Sequence, residues 1–127
     1  MTHIQNARIT DATIQFERGF ALTVWVFVEM EVGHQGFGGF VLGGNPFDKS
    51  ATCAKHEDSK NLAADMIGGV MAVADVEKWT DLKGKVVRVE HDSDQWSGNI
   101  VAIGHAFKER WYRPKERMAL LTGRIDD

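Results

Sequence analysis

The stretch Phe20–Glu31, FALTVWVFVEME, carries the strongest secondary-structure signal in the sequence. Alternate residues share one face of an extended chain, and here both faces are apolar in the middle of the stretch. Such a strand is typical of a position covered on two sides, and its β-branched residues disfavour a helix. The stretch therefore predicts the central strand of a sheet, with Trp25 in the hydrophobic core.

Two more strands are predicted beside this one. Ile9–Glu17 contains β-branched residues in rough alternation, and Arg18-Gly19 supplies a turn that leads into the central strand. Gly36–Leu42 is predicted as the third strand, and the loop sequence GGNP at 43–46 ends it.

A helix is predicted to begin near Asn61. Its apolar residues recur at helical spacing and form one stripe, which consists of Leu62, Met66, Ile67, Val70, Met71 and Ala74. Gly68 and Gly69 interrupt the stripe, at a cost of about 1 kcal/mol each relative to alanine. They indicate either close approach of a ligand or backbone, or tight packing against the sheet, or a break in the helix.

The second half of the chain predicts a turn and a β-hairpin. Thr80 can cap a single helical turn within residues 79–85, and Gly84 suits a left-handed turn position. A fourth strand follows at Val86–His91, then a hairpin loop at residues 92–98. The fifth strand is predicted at Asn99–Phe107, with Val101, Ile103 and Phe107 on one face.

This order of elements predicts an α+β fold, a twisted antiparallel sheet of about five strands with one helix packed on a face. A partly closed small β-barrel with a helix is the structural alternative. The length of 127 residues predicts a single domain over residues 1–127.

Composition limits the classes of partner and the compartment. The formal net charge of −3 gives the chain no overall attraction to nucleic acid or to an acidic membrane. Cys53 is the single cysteine, so an intrachain disulfide is excluded. The sequence has no signal-peptide layout and no apolar run of about 20 residues. We therefore expect a cytoplasmic protein that does not contact a membrane.

The stretch GHQGFGGF at residues 33–40 is a candidate binding segment. Glycines let a ligand approach the main chain and aromatic rings stack on flat groups, so Gln35, Gly36, Phe37 and Gly38 are predicted contacts. The stretch lacks the lysine and the following helix of a phosphate-binding loop. The alternative is a glycine-rich strand with a bulge, whose aromatic rings pack in the core or cover neighbouring glycines.

A second candidate segment, residues 103–115, mixes cationic and aromatic side chains. Charge and stacking together suit a ligand with a phosphate and a base, so His105, Lys108, Arg110 and Trp111 are predicted contacts. A solvated edge strand, in which cations prevent edge pairing, explains the same pattern. Trp96, in the hairpin loop, is predicted either as an interface anchor or as a ring folded over the sheet.

No set of residues with catalytic or metal-binding spacing is present. Cys53 and His56 are three residues apart, but no matching pair lies at zinc-site spacing. The serines lie in polar loops without the signature of a nucleophile. We therefore predict no catalytic residues, no metal and no cofactor.

Four segments carry a resemblance to a known group of proteins: IQNARIT, GHQGFGGFVLGG, VEKWTDLKGKVVRVE and VAIGHAFKERWYRPK. They resemble small, uncharacterised proteins encoded by phages and prophages. The resemblance implies a setting in the cytoplasm of a host cell and no particular activity. Phage accessory proteins of this size often act by binding, either to a host defence protein or to a nucleotide signal.

These observations predict a non-enzymatic binding protein, a homodimer or higher homo-oligomer, that inhibits a host defence protein or sequesters a phosphate-bearing small ligand. Nucleic-acid binding in phage replication or recombination is an alternative, supported by the basic and aromatic segment and opposed by the net charge. A small hydrolase of nucleotide derivatives, with His34 or His105 as base, is a further alternative.

Overall fold

A computed structural model describes residues 3–19, 21–47, 57–93 and 98–122 of the chain. It confirms an α+β fold in which one open antiparallel sheet has the strand order β3-β2-β1-β4-β5-β6. The strands are β1 (His3–Glu17), β2 (Ala21–Glu29), β3 (His34–Gly44), β4 (Val86–His91), β5 (Ile100–His105) and β6 (Trp111–Tyr112). The two helices are α1 (Glu57–Ala74) and α2 (Pro114–Thr122).

The first strand pairs with two different partners along its length. Its first half pairs with β4, from His3 opposite His91 to Arg8 opposite Val86. Its second half pairs with β2, and the register shifts between Ile9 and Asp11. The fourth strand thus returns to lie beside the first, which is a Greek-key arrangement. The prediction that residues 20–31 form the central strand is wrong, because β1 and β4 occupy the centre of the sheet.

The two faces of β2 have different surroundings. Val24, Val26 and Val28 are fully buried in the core. Trp25 and Phe27, on the other face, are only half-buried. The prediction that Trp25 lies in the core is therefore wrong: its ring covers the glycine-rich strand β3, and no described helix covers that face of β2.

Helix α1 supplies the other half of the core. Its buried residues pack with the valines of β2 and β4, and these residues are Ala63, Met66, Val70 and Val73. The two glycines of the helix have different environments. A Cβ atom on Gly69 would overlap the ring of Tyr112, whereas a Cβ atom on Gly68 would meet no atom within 4 Å. Gly69 therefore fits the prediction of tight packing against the sheet.

The turn before β4 is a short 3-10 helix, Trp79–Leu82. Thr80 does not cap it, because Lys78 is the capping residue and no side chain provides a capping hydrogen bond. The prediction for Gly84 is confirmed by its φ of +91°. Its amide donates to the carbonyl of Ile9, and the amide of Ile9 donates to the carbonyl of Lys85. These bonds join the turn to β1 at the register shift of that strand.

The predicted bounds of β4 are confirmed, but β5 is shorter than predicted. Ile103 is fully buried, whereas Val101 and Phe107 are 39% and 79% exposed, so the predicted common face is wrong. The cause is a register shift at the end of β4 together with the end of β5 at His105. The strand β6 and the helix α2 were not predicted. Pro114 opens α2, a position at which its fixed φ and missing N–H are tolerated.

The sheet curls without closing. At one point Gln35 at the start of β3 reaches the opposite side, where its Nε2 donates to the carbonyl of Gly98 at 3.1 Å. No strand pairing joins β3 to β5 among the described residues, so the barrel alternative does not form. Within the described ranges, neither helix has the length and apolar character needed to cross a lipid bilayer.

The two glycines of α1 give a matched test of this packing. Gly68→Ala should raise the free energy of unfolding by up to about 1 kcal/mol, because alanine loses less backbone entropy in a helix. Gly69→Ala should lower it by about 1–3 kcal/mol, because the added methyl group overlaps Tyr112. Urea unfolding of both variants measures the two changes. Equal shifts would contradict the contact between α1 and β6.

Candidate functional site

The predicted contacts on β3 serve mainly as packing residues. Phe37 is only 3% exposed and belongs to the core, so its ring presents no free face. Gly38 has a φ of +114°, and a Cβ atom there would lie 2.8 Å from both Met66 and the carbonyl of Val24. Gln35 bonds to the carbonyl of Gly98. Burial therefore opposes a stacking role of Phe37, whereas ligand contacts of Gln35, Gly36 and Gly38 stay a prediction.

Trp25 explains two glycines of this segment, Gly36 and Gly39. A Cβ atom on Gly36 would lie 3.1 Å from the indole, and one on Gly39 would lie 2.7 Å from it. The indole thus rests directly on the main chain of β3, where any larger residue would push it away. This agrees with the alternative interpretation, in which aromatic rings cover glycines.

The second predicted segment borders a groove of about 510 Å³ between α1 and β6, which we call the α1–β6 groove. Its floor consists of small residues of α1, including Ala64, Gly68 and Ala72. Arg110, Trp111 and Arg117 line its walls. Two of the predicted contacts, Arg110 and Trp111, therefore lie at one concave surface.

A carboxylate of α1 holds Arg117 at this groove. Nε and Nη2 of Arg117 donate to the two carboxylate oxygens of Asp65, each at 2.8 Å, and the Tyr112 hydroxyl donates to Asp65 at 3.0 Å. The hydrogen bond from Arg117 lowers the pKa of Asp65 against the opposing effect of burial. Burial, then the contact with Asp65, raises the pKa of Tyr112, so its hydroxyl stays a donor.

Asp75, just after the end of α1, orients Arg110 in the same way. Nη1 of Arg110 donates to Asp75 at 2.7 Å and to the carbonyl of Ala72 at 2.9 Å. Lys108 Nζ lies 3.8 Å from the same carboxylate. The hydrogen bond from Arg110 is the main cause that lowers the pKa of Asp75. Three of the predicted contacts, His105, Lys108 and Arg110, thus converge on one carboxylate.

His105 is a structural member of this cluster. Its Nδ1 accepts the amide N–H groups of Phe107 and Lys108, at 3.2 and 3.1 Å. Nε2 therefore carries the ring proton and donates to Asp75 at 3.0 Å. Neither nitrogen has a lone pair left to accept a proton from a substrate, so this geometry gives no support to His105 as a general base.

The half-buried ring of Trp111 is stacked against the sheet. Its ring lies over Gly104, where a Cβ atom would come within 2.6 Å of it. The guanidinium carbons of Arg88 and Arg113 lie 4.9 and 5.2 Å from the ring centroid. Arg113 also donates to Glu90 at 2.9 Å. Stacking on Trp111 is thus used by two arginines of the chain itself.

Sequence reasoning did not identify the contact that orients Arg117 at the groove. Asp65 and Arg117 are 52 residues apart, and no local spacing connects them. The two glycines of α1 were the available signal, since they indicated a close approach. Trp96, Cys53 and His56 lie outside the described residues.

Among the residues that the structure describes, no three His, Cys, Asp or Glu side chains are grouped to hold a metal ion. No family model, no curated protein and no solved structure matches this chain. The resemblance to phage-encoded proteins therefore stays a prediction.

Acid titration tests the contact between Asp65 and Arg117. The pKa of Asp65 is lower in the folded protein, so its stabilising effect is complete above its ordinary value, about pH 4, and is lost as the pH falls through the lowered pKa. We expect Asp65→Asn to be less stable than wild type at neutral pH, and the difference to shrink below about pH 4.

Urea unfolding at a series of pH values measures this difference. Glu77→Gln is the control, because Glu77 is exposed and forms no ion pair among the described residues. A difference between Asp65→Asn and wild type that stayed constant with pH would contradict the assignment.

Proposed function

We propose that this protein is a non-enzymatic binding protein that sequesters a small phosphate-bearing ligand in the α1–β6 groove. The observation that carries the proposal is the pair of guanidinium groups at the groove, each held by a carboxylate, above a floor of small residues. Such a site has its donors oriented before a ligand arrives, which reduces the entropic cost of binding.

Both arginines keep donors for a ligand. Arg117 uses Nε and Nη2 within the described protein, and Arg110 uses Nη1. A guanidinium carries five N–H donors in a planar fork that matches phosphate oxygens. The carboxylates of Asp65 and Asp75 therefore orient the arginines without using all of their donors.

The groove has the volume of a small-molecule site. Its volume of about 510 Å³ lies within the range of about 300–1,000 Å³ that is usual for ligand pockets. The Trp111 ring packs on Gly104, Arg88 and Arg113, so the groove offers a ligand the guanidinium groups of Arg110 and Arg117. A small organic phosphate, such as a nucleotide, suits these two groups. In the phage setting that we also propose, the biological ligand is a nucleotide signal.

Nucleic-acid binding is the second candidate, because Arg88 and Arg113 flank Trp111 on the outer surface of the sheet. Two observations oppose it. The net charge of the chain is −3, and Glu90 and Glu109 form ion pairs with these same arginines. A polyanion would have to displace those pairs, and its binding would weaken steeply with added salt.

Native mass spectrometry of protein purified gently from an expressing bacterium tests the proposal first. We expect a mass equal to a multiple of the chain mass, 14.2 kDa, plus a few hundred daltons of ligand. The multiple measures the homo-oligomeric state that we also propose. A bare multiple of the chain mass counts against sequestration and favours a macromolecular partner.

Titration with adenosine 5′-monophosphate and with inorganic pyrophosphate locates the site. Gly68→Leu should raise the dissociation constant at least about tenfold, because its side chain enters open space in the groove. Gly68→Ala is the matched control and should bind like wild type. Failure of wild type to bind either probe, or equal binding by Gly68→Leu, would contradict the proposal.

A further inference from the structure

A second surface lies on the side of β1, β2 and β3 that faces away from α1. We call it the open face. Its residues align across the three strands in rows, and the central rows place Trp25 between Thr13 and Gly38, and Phe27 between Asp11 and Gly36. The alternate residues of β2 point into the core, where α1 packs. No described helix covers the open face.

The centre of the open face is a stacked pair of aromatic rings. The rings of Trp25 and Phe27 lie 5.7 Å apart between centroids and only 12° from parallel. A Cβ atom on Gly36 would lie 3.1 Å from the indole and 3.3 Å from the phenyl ring. One side of each ring therefore rests on the main chain of β3, and both side chains remain half-buried. Within the described part of the chain, the exposed portion of each ring is available to a ligand.

Polar side chains border the rings along β1. The indole Nε1 donates to Glu17 at 2.9 Å, which fixes the orientation of the ring. Thr13 donates to Gln15 at 2.8 Å, and Thr23 donates to Glu17 at 3.2 Å. These bonds use Oε1 of Glu17, so Oε2 has no hydrogen-bond partner among the described residues. The Oε2 atom of Glu17 is therefore an acceptor beside the rings.

The charges of the open face select the chemical class of ligand. Among the described residues, the ionisable side chains in these rows are Asp11, Glu17, Glu29, Arg8 and His34, and Lys83 lines a pocket beside Asp11. Arg8 and His34 lie in the end row, beside Glu29. A phosphate on the indole of Trp25 would face the carboxylate of Glu17, which is unfavourable. A ligand with hydroxyl donors and no negative charge fits these groups.

We propose that the open face binds an uncharged saccharide. A pyranose ring would lay its C–H face on Trp25 and Phe27, while its hydroxyl groups donate to Glu17 and Asp11. Aromatic surface with a few oriented polar groups is the usual composition of a specific small-molecule site. This surface is separate from the α1–β6 groove, so the inference does not depend on the function proposed above.

Calorimetric titration of the full chain with soluble neutral oligosaccharides tests the proposal. Cellohexaose, maltohexaose and xylohexaose are the probes, and oligo(dT) is the anionic comparison. We expect at least one saccharide to bind with a dissociation constant below about 1 mM. Trp25→Leu should weaken that binding at least about tenfold. Gly68→Leu, which blocks the groove, should leave it unchanged.

A second variant distinguishes loss of saccharide binding from loss of folding in Trp25→Leu. Glu17→Gln keeps an oxygen for the indole N–H but replaces the charged acceptor, and it should also weaken saccharide binding. Absence of binding by every saccharide would overturn the proposal, as would unchanged binding in both variants. Binding of oligo(dT) that Trp25→Leu abolishes would overturn it in favour of nucleic acid. The adenosine 5′-monophosphate titration, which reports on the groove, is unaffected by any of these outcomes.

Discussion

The fold depends on the way β1 divides its backbone hydrogen bonds between two neighbours. The strand pairs with β4 as far as Arg8 and with β2 from Arg8 onwards. The register shift between Ile9 and Asp11 bends the strand at this point. The bend separates the sheet into a half with β2 and β3 and a half with β4, β5 and β6. Helix α1 packs on one face of both halves, and no described helix covers the opposite face of the first half. In the second half, the α1–β6 groove forms between α1 and β6. Both candidate surfaces follow from this division.

Contacts between aromatic rings and glycines join neighbouring strands of the sheet and join β6 to α1. Trp25 lies on Gly36 and Gly39, and other rings repeat the arrangement, with Tyr112 on Gly69 and Trp111 on Gly104. In each case a Cβ atom would overlap or crowd the ring, so glycine is required for the contact and not merely for flexibility. Packing against rings therefore explains Gly36, Gly39, Gly69 and Gly104, and any ligand-binding consequence arises through the rings that these glycines support.

The ion pairs at the groove act mainly through orientation. Arg110 and Arg117 are both substantially exposed, and exposed pairs contribute only about 0–1 kcal/mol to stability. Asp75 also adopts a φ of +58°, an uncommon conformation for a residue other than glycine. His105 and Arg110 hold that residue in place, which ties the end of α1 to the end of β5. The net result is two guanidinium groups with fixed positions on either side of one concave surface.

Local patterns in the sequence were sufficient for the elements whose signal lies within a few residues. The bounds of β4, the existence of the first three strands and of one long helix, and the left-handed Gly84 follow from alternation, helical spacing and turn chemistry. The α+β class follows from their order. The predicted start of that helix near Asn61 is wrong, because α1 begins at Glu57. A short strand such as β6 carries almost no local signal, because two residues cannot display a period.

Tertiary structure alone decided which strands are central, where Trp25 lies and which arginines face a carboxylate. Strand order depends on which edges meet, and alternation reports only that a face is apolar, not what covers it. Asp65 meets Arg117, 52 residues away, because Gly69 lets β6 approach α1. Contacts of this kind depend on backbone approach between distant segments, and sequence spacing does not encode that distance.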